Sequence, residues 1–239
     1  MYLFGRLLHP VQRILMIRPM KVVVLLSGGL DSATVLQYAK KKHFKAHCIT
    51  FQYGQRHKKE INFAKRLASK TNSDWKLLDI SFPWKGSSLI DKNMILPKRK
   101  RADHNIPSTY VPGRNIIFLS YAVSYAEAIG AKKIFIGANQ IDYSGYPDCR
   151  GSFLQAFSNA IKKGTKAGVR GNAIKIEAPL LDKNKREIVE LAAKLKVPFK
   201  YTWSCYKGRK FPCGECDSCL LREKGFKQAK IKDPTLKNE

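Results

Sequence analysis

Six consecutive residues, Ser27-Gly28-Gly29-Leu30-Asp31-Ser32, are of the types that grip a phosphate. They lie between an apolar run, Lys21–Leu26 (KVVVLL), and an amphipathic stretch. Two glycines let the backbone turn sharply and come close to an anion. A helix starting there offers unpaired N–H groups and a partial positive charge. Ser27 and Ser32 add hydroxyl donors, and Asp31 either caps the helix or holds a magnesium ion bridging phosphates. The bland alternative is a Gly-rich strand-to-helix turn. Neither G-x-x-x-x-G-K-[ST] nor G-x-G-x-x-G occurs.

A second constellation is Cys205-x7-Cys213-x2-Cys216-x2-Cys219. Four thiolates are the closed tetrahedral set of a structural zinc, and Gly214 permits the tight turn between them. Such a metal would fold a segment too strand-poor to build its own core. A Cys-x-x-Cys redox pair, an iron–sulfur site and a nucleic-acid-binding ribbon are the competing readings. The other two of the six cysteines, Cys48 and Cys149, stand apart. Clustering of this kind speaks for metal and a reducing cytoplasm, not a disulfide framework.

Three polar clusters complete the inventory: Tyr53-Gly54-Gln55-Arg56-His57, Val111-Pro112-Gly113-Arg114-Asn115 and Asp142-Tyr143-Ser144-Gly145-Tyr146-Pro147-Asp148-Cys149-Arg150. Aromatic faces beside carboxylates and guanidiniums suit a flat heterocycle that is both stacked and hydrogen-bonded. Each taken alone also reads as a polar surface loop.

These residues need a scaffold. Strands are expected at Lys21–Leu26, His47–Tyr53, Trp75–Ile80, Lys133–Gly137 and near Ile174–Ala178. Helices are expected at Ser32–Lys42, His57–Ser69, Asn115–Ile129, near Phe153–Lys163 and at Lys185–Leu195. Alternation of this kind specifies an α/β fold, an open parallel sheet with helices on both faces. The clusters then fall at its C-terminal edge, where such sheets bind ligands. Phe82–Gly113, with four prolines and the basic run Lys98–Arg101, breaks the rhythm as a long loop.

The 239 residues, 44% hydrophobic, suffice for one α/β domain (20–200) with a zinc-binding segment (201–226) and a charged tail (227–239) that frays after Phe226. No apolar run reaches the ~18 residues a membrane helix needs. With 45 basic and 18 acidic side chains the net charge is +27, which attracts anions but does not choose among them. Residues 1–19 contain three arginines and no acid. They are expected to stand outside the fold, as an over-called start or, alternatively, a transit peptide.

In the order they occur, these motifs resemble a known family. The S-G-G-x-D-S turn is similar to the PP-loop of ATP pyrophosphatases. Together with Y-G-Q-R-H, V-P-G-R-N, D-Y-S-G-Y-P-D-C-R and the cysteine knuckle, it resembles the QueC family of queuosine precursor biosynthesis from Met20 to about Phe226. The resemblance implies an ATP-dependent, C–N-bond-forming ligase that turns 7-carboxy-7-deazaguanine and ammonia into the nitrile, through an adenylated acid and an adenylated amide. It implies ATP, Mg and Zn as cofactors, small molecules as partners, no membrane, no obligate nucleic acid and a possible homodimer. ATP is expected on Leu26, Ser27, Gly28, Gly29, Leu30, Asp31, Ser32, Ala33, Thr34, Val35 and Leu36. Asp31, Arg56 and Arg114 are the expected catalytic residues, the two arginines neutralising charge at the α-phosphate. Tyr53, Gln55, Asn115, Asp142, Tyr143, Tyr146 and Asp148 are expected on the substrate, with the aspartates accepting from its N–H edge. Lys98–Arg101 closes over the phosphates or is a solvated loop. Cys149 is read as pocket lining, His57 and Glu60 as supporting residues, and Cys205, Cys213, Cys216 and Cys219 as zinc ligands. A tRNA-thiolating relative, which would use Cys149 as a nucleophile, and a non-catalytic zinc-containing RNA-binding protein are the rival readings.

Overall fold

Lys21–Leu25 forms the middle strand, β1, of the computed structural model. Side chains alternate across a strand. Val22 and Val24 therefore enter one apolar layer while Val23 and Leu25 enter the other. The remaining strands, β2 (Lys45–Gln52), β3 (Asp74–Asp79), β4 (Lys133–Phe135) and β5 (Lys175–Glu177), pair with it in the order β3-β2-β1-β4-β5, all parallel. The structure describes residues 19–97, 106–141 and 145–236. Lys98–Arg101, Asp142 and Tyr143 thus lie outside the described residues, as does all but the last residue of the leader.

Parallel pairing requires crossovers, and the helices supply them on both faces. One face is covered by α1 (Leu30–Lys41), α2 (Lys59–Lys70), α6 (Lys185–Lys194) and α7 (Asp217–Gln228), whose Leu36, Leu67, Ile188 and Phe226 share a core with Val22 and Val24. The other is covered by α3 (Arg114–Ile129) and α4 (Gly151–Gly164), through Leu119, Leu154 and Ile161. A short α5 (Lys166–Val169) follows α4. Burial of this kind is worth roughly 1.5–3 kcal/mol for each large apolar side chain. No helix among the described residues is long and apolar enough to cross a membrane.

The expected architecture is what the chain adopts, with three differences. His57 precedes α2 instead of opening it. The cysteine segment contains a twelve-residue helix, α7. Finally, the described part of the tail, through residue 236, does not fray after Phe226: Ile231 packs on the core and Asp233 is buried. Asp233 is held there by Arg222, whose Nε and Nη2 donate to its carboxylate at 2.6 and 3.0 Å. A charged segment looks solvated until its partner, here on α7, is known.

Two features place the functional groups. Strand order reverses between β1 and β4, which opens a crevice at their C-terminal ends. Gly137, just past β4, lets that end approach the first turn of α1: a Cβ there would sit 3.2 Å from Ser32 N.

Candidate active site

At the crevice, Ser27–Ser32 folds back on itself. Ser32 Oγ accepts from Ser27 N (3.2 Å) and donates to Gly29 O (3.1 Å), while Ser27 Oγ accepts from Gly29 N (3.3 Å). Gly28 takes φ +89, and a Cβ on it would lie 2.2 Å from Glu60 O. Only glycine lets this turn sit against the start of α2. No side chain caps the N-terminus of α1. Its first N–H groups, with the positive end of the helix dipole, are therefore left for an anion. Asp31 is not the cap. Its carboxylate takes both oxygens to Lys185 Nζ, at 3.0 and 2.9 Å.

The cleft in front of this turn is lined by Leu26, Ser27, Gly29, Leu30, Asp31 and Ser32. Ala33, Thr34, Val35 and Leu36 are buried behind it and pack α1 onto the sheet. Gly28 contributes its backbone instead: its carbonyl accepts from Trp203 N at 2.9 Å.

That bond joins the phosphate loop to the cysteine segment. Trp203 Nε1 donates to Cys205 O at 2.9 Å, and Lys59 Nζ lies 3.6 Å over the Trp203 ring. Lys59 also donates to Arg209 O and Lys210 O at 2.6 and 2.9 Å. Cys205, Cys213, Cys216 and Cys219 turn their sulfurs inward to within 4.8 Å of one another. Cys205 Sγ accepts from Lys207 N and Cys213 N, both at 3.4 Å. Four converging sulfurs, with amide donors around one of them, fit a tetrahedral thiolate-bound metal.

The opposite end of the cleft is aromatic. Arg114 lies 5.8 Å from the Tyr53 ring and 5.9 Å from the Phe118 ring, and Nη1 donates to Tyr53 OH at 3.4 Å. Its Nε is buried with no hydrogen-bond partner among the described residues. A donor left this way is costly, and the guanidinium's positive charge favours an anion in the cleft that it lines. Gln55 accepts from Tyr53 N (2.7 Å) and donates to Phe51 O (3.2 Å) and Glu60 Oε1 (3.4 Å). Tyr146 OH meets Thr109 Oγ1 at 2.6 Å. Burial raises the phenols of both Tyr53 and Tyr146 above their ordinary value. It also pushes the Cys149 thiol up to about 11.

Tyr53, Gln55, Asn115 and Tyr146 line the cleft, with Arg56 and Arg114. Two roles change. Asp148 does not face the cleft: its Oδ2 accepts from Asn115 N at 3.0 Å in the first turn of α3. It caps α3, whose N-terminal amides need an acceptor, and is not placed to meet a heterocycle's edge. Arg56 spends Nε on Ser88 O (2.5 Å) and Nη2 on the carbonyls of Asp91 and Met94. It pins the 88–94 loop, which leaves Arg114 as the cleft's open guanidinium.

Sequence reasoning missed Lys185, Arg222 and Trp203, all of which line the cleft. One signal for Lys185 was available. Asn184 and Glu187 form a reciprocal capping box, which sets Lys185 at the first position of α6 and so at the sheet's C-terminal edge. Nothing in composition marks Arg222 or Trp203.

The family model described as "Queuosine biosynthesis protein QueC" matches residues 21–230. A 7-cyano-7-deazaguanine synthase of Thermoplasma volcanium is 50% identical over 218 residues, 90% of this chain and 90% of that protein. One of Desulfitobacterium hafniense is 51% identical over 215 residues, 90% of this chain and 91% of that protein. Among solved structures, the NMN synthetase of Francisella tularensis is similar with a TM-score of 0.46 at 14% identity, over 89% of this chain and 87% of that one, a likeness too weak to carry function. Identity near one half across nine-tenths of the chain, together with a match running from β1 past the cysteine segment, shows that this chain belongs to the QueC family.

Proposed function

We propose that this protein is a 7-cyano-7-deazaguanine synthase that converts 7-carboxy-7-deazaguanine, ammonia and two ATP into the nitrile, two AMP and two pyrophosphates. The observation that carries the reading is one cleft with two ends. An uncapped helix N-terminus with serine hydroxyls lies at one end, and an aromatic chamber with a guanidinium whose Nε has no partner among the described residues at the other. The first suits a triphosphate, the second a flat, anionic heterocycle.

A carboxylate acylates poorly because oxide would have to leave. Adenylation makes AMP the leaving group and expels pyrophosphate. Ammonia then forms the C–N bond, the C–O bond to AMP breaks, and a primary amide results. A second adenylation on the amide oxygen lets a second AMP leave as the C≡N bond forms. The Ser27–Ser32 turn holds the pyrophosphate end of ATP. Arg114 faces the charge that builds between carboxylate and α-phosphate. A magnesium ion, when bound, would screen the triphosphate charge. Asp31 would hold it, and Lys185 orients that carboxylate through both of its oxygens. Zinc would sit on Cys205, Cys213, Cys216 and Cys219, as a brace for Trp203 and the phosphate loop.

Thiolation is disfavoured, because a thiol pushed up to about 11 is a poor nucleophile near neutrality. Reduced, clustered cysteines suit the cytoplasm, and the required partners are small molecules, with a homodimer as the assembly and no obligate nucleic acid. The test is to incubate the protein with ATP, magnesium, ammonium and 7-carboxy-7-deazaguanine. The expected result is the nitrile by mass and two AMP per product. Release of ADP and orthophosphate, or no deazaguanine-dependent turnover, overturns the assignment.

A further inference from the structure

Between ammonia and nitrile, three protons must leave the nitrogen, and none of the groups assigned so far accepts them. Asp31 is bound through both oxygens to Lys185. Asp148 caps α3 behind the cleft wall. His57 Nδ1 accepts from Lys59 N at 3.3 Å, and its ring packs so close to Gly208 that a Cβ there would lie 2.4 Å from it. Cys149 is a protonated thiol.

Glu60 differs from all of these. It stands in the first turn of α2 and lines the cleft with Tyr53, Gln55 and Arg114. Its backbone is locked in place, because its carbonyl is the atom against which Gly28 closes. Its side chain meets Gln55 Nε2 at 3.4 Å, and Gln55 is itself fixed by Tyr53 N and Phe51 O. The carboxylate is therefore aimed and supported at the junction of phosphate loop and aromatic chamber, with no lysine or arginine bonded to it among the described contacts.

We propose that Glu60 is the proton acceptor for the reacting nitrogen, an inference that rests on the nitrile-synthase reading above. As ammonia displaces AMP, the new C–N bond forms, the C–O bond breaks and one N–H proton passes to Glu60. A second passes when the amide oxygen attacks ATP, and a third when the adenylated imidate collapses, its N–H electron pair becoming the third C–N bond while AMP departs. Each proton returns from Glu60 to solvent before the next step.

The electrostatics suit this role. Burial pushes the Glu60 carboxyl up to about 7, against the opposing pull of Arg114 and the hydrogen bond from Gln55. A base of that strength is half ionised at neutral pH, near the optimum for proton transfer. The titratable and charged groups that line the cleft with it are Tyr53, Arg56 and His57 ahead of α2, Arg114 of α3, Tyr146 and Cys149 before α4, the Asp31–Lys185 pair, Tyr206 of the cysteine segment and Arg222 of α7.

The test separates adenylation from nitrogen chemistry. Wild type, Glu60→Gln and Glu60→Asp are compared in two assays: deazaguanine-dependent exchange of pyrophosphate into ATP without ammonia, and nitrile formation between about pH 5.5 and 9. Supplying the primary amide as substrate removes ammonia's own ionisation from the pH profile. In the wild type, nitrile formation rises with pH through about 7. Glu60→Gln is expected to keep exchange within about threefold while nitrile formation falls about 10²–10⁴-fold and loses that limb. Glu60→Asp, still a carboxylate, restores part of both. Thermal melting confirms that the variants fold. If Glu60→Gln keeps wild-type nitrile formation and pH profile, the proposal is wrong. If exchange and nitrile formation fall together, Glu60 positions ATP and accepts no proton, and the proposal again fails. Absence of exchange in the wild type sinks the substrate reading, and this inference with it.

Discussion

Gly28 and Gly54 share a left-handed backbone, φ +89 and +84, but not a neighbourhood. A Cβ at Gly54 would meet nothing within 4 Å; at Gly28 it would lie 2.2 Å from Glu60 O and 2.9 Å from Ala64 N, both backbone atoms that cannot swing aside. Gly54→Ala is therefore expected to cost only the conformational penalty of about 1–2 kcal/mol. Gly28→Ala adds the separation of α2 from the phosphate loop, roughly a further 1–3 kcal/mol, and should weaken ATP binding as well. Urea denaturation of the two variants decides the matter: equal losses would mean that the close approach contributes nothing. Cys149 yields a prediction of the opposite kind. Its Sγ accepts from Asn115 Nδ2 at 3.2 Å, a bond that a serine oxygen can also accept. Cys149→Ser should keep substantial nitrile-forming activity, and loss of more than about 10²-fold, the scale of a removed catalytic group, would restore the thiolation reading.

Among the elements, the cysteine segment matters because of where it docks. Trp203 is tied to Gly28 on one side and to Cys205 on the other, so the cysteine cluster and the phosphate loop share a wall. Chelating the zinc proposed on the four cysteines, or changing Cys216 to Ser, should release Trp203 first. ATP affinity should fall while the sheet and the helices on its α3 face keep their far-ultraviolet dichroism. Retention of full ATP affinity in a metal-free protein would refute this coupling. α7 has a second anchor in the Arg222–Asp233 pair, with Arg222 Nη1 also donating to Thr202 and Ser204 at 2.9 and 3.2 Å. Burial alone would raise the Asp233 carboxyl, but bonds from Arg222 and Thr235 outweigh it and hold it below its usual value. A carboxylate depressed on folding stabilises the protein above its unfolded value of about 3.9, and that contribution is lost as pH falls through the folded one. Asp233→Ala strands a buried guanidinium and is expected to cost about 3–5 kcal/mol near neutrality. The gap between variant and wild type should narrow below about pH 4, where the wild type loses the pair too. A gap that stays constant with pH would mean that the charge on Asp233 contributes no stability.

For the molecule as a whole, what could be read in the sequence divides by distance along the chain. The five strands and most helices announce themselves locally: KVVVL is buried on both faces because every residue in it but the first is apolar. The S-G-G-x-D-S turn and the four cysteines are equally local, so both could be picked out before any fold. What was not legible is long-range pairing. Lys185 and Asp31 are 154 residues apart, and no periodicity relates them. Asp148 reads as a ligand residue until α3 is found to need its carboxylate. Net charge is the one global property composition does give, and it has opposing consequences. At +27 the folded chain repels itself while its field draws in anionic substrates. Salt screens both, with a Debye length of about 8 Å at physiological ionic strength. Raising salt from about 10 mM, where that length is about 30 Å, to the physiological range should therefore raise the Tm by a few degrees. Over the same range kcat/KM for ATP should fall several-fold, because the rate loses long-range attraction while the fold loses long-range repulsion. Uncharged denaturation midpoints in matched sucrose serve as the control. If Tm and kcat/KM move in the same direction, surface charge does not govern encounter with ATP, and the nucleotide is gathered by the Ser27–Ser32 turn and its immediate neighbours alone.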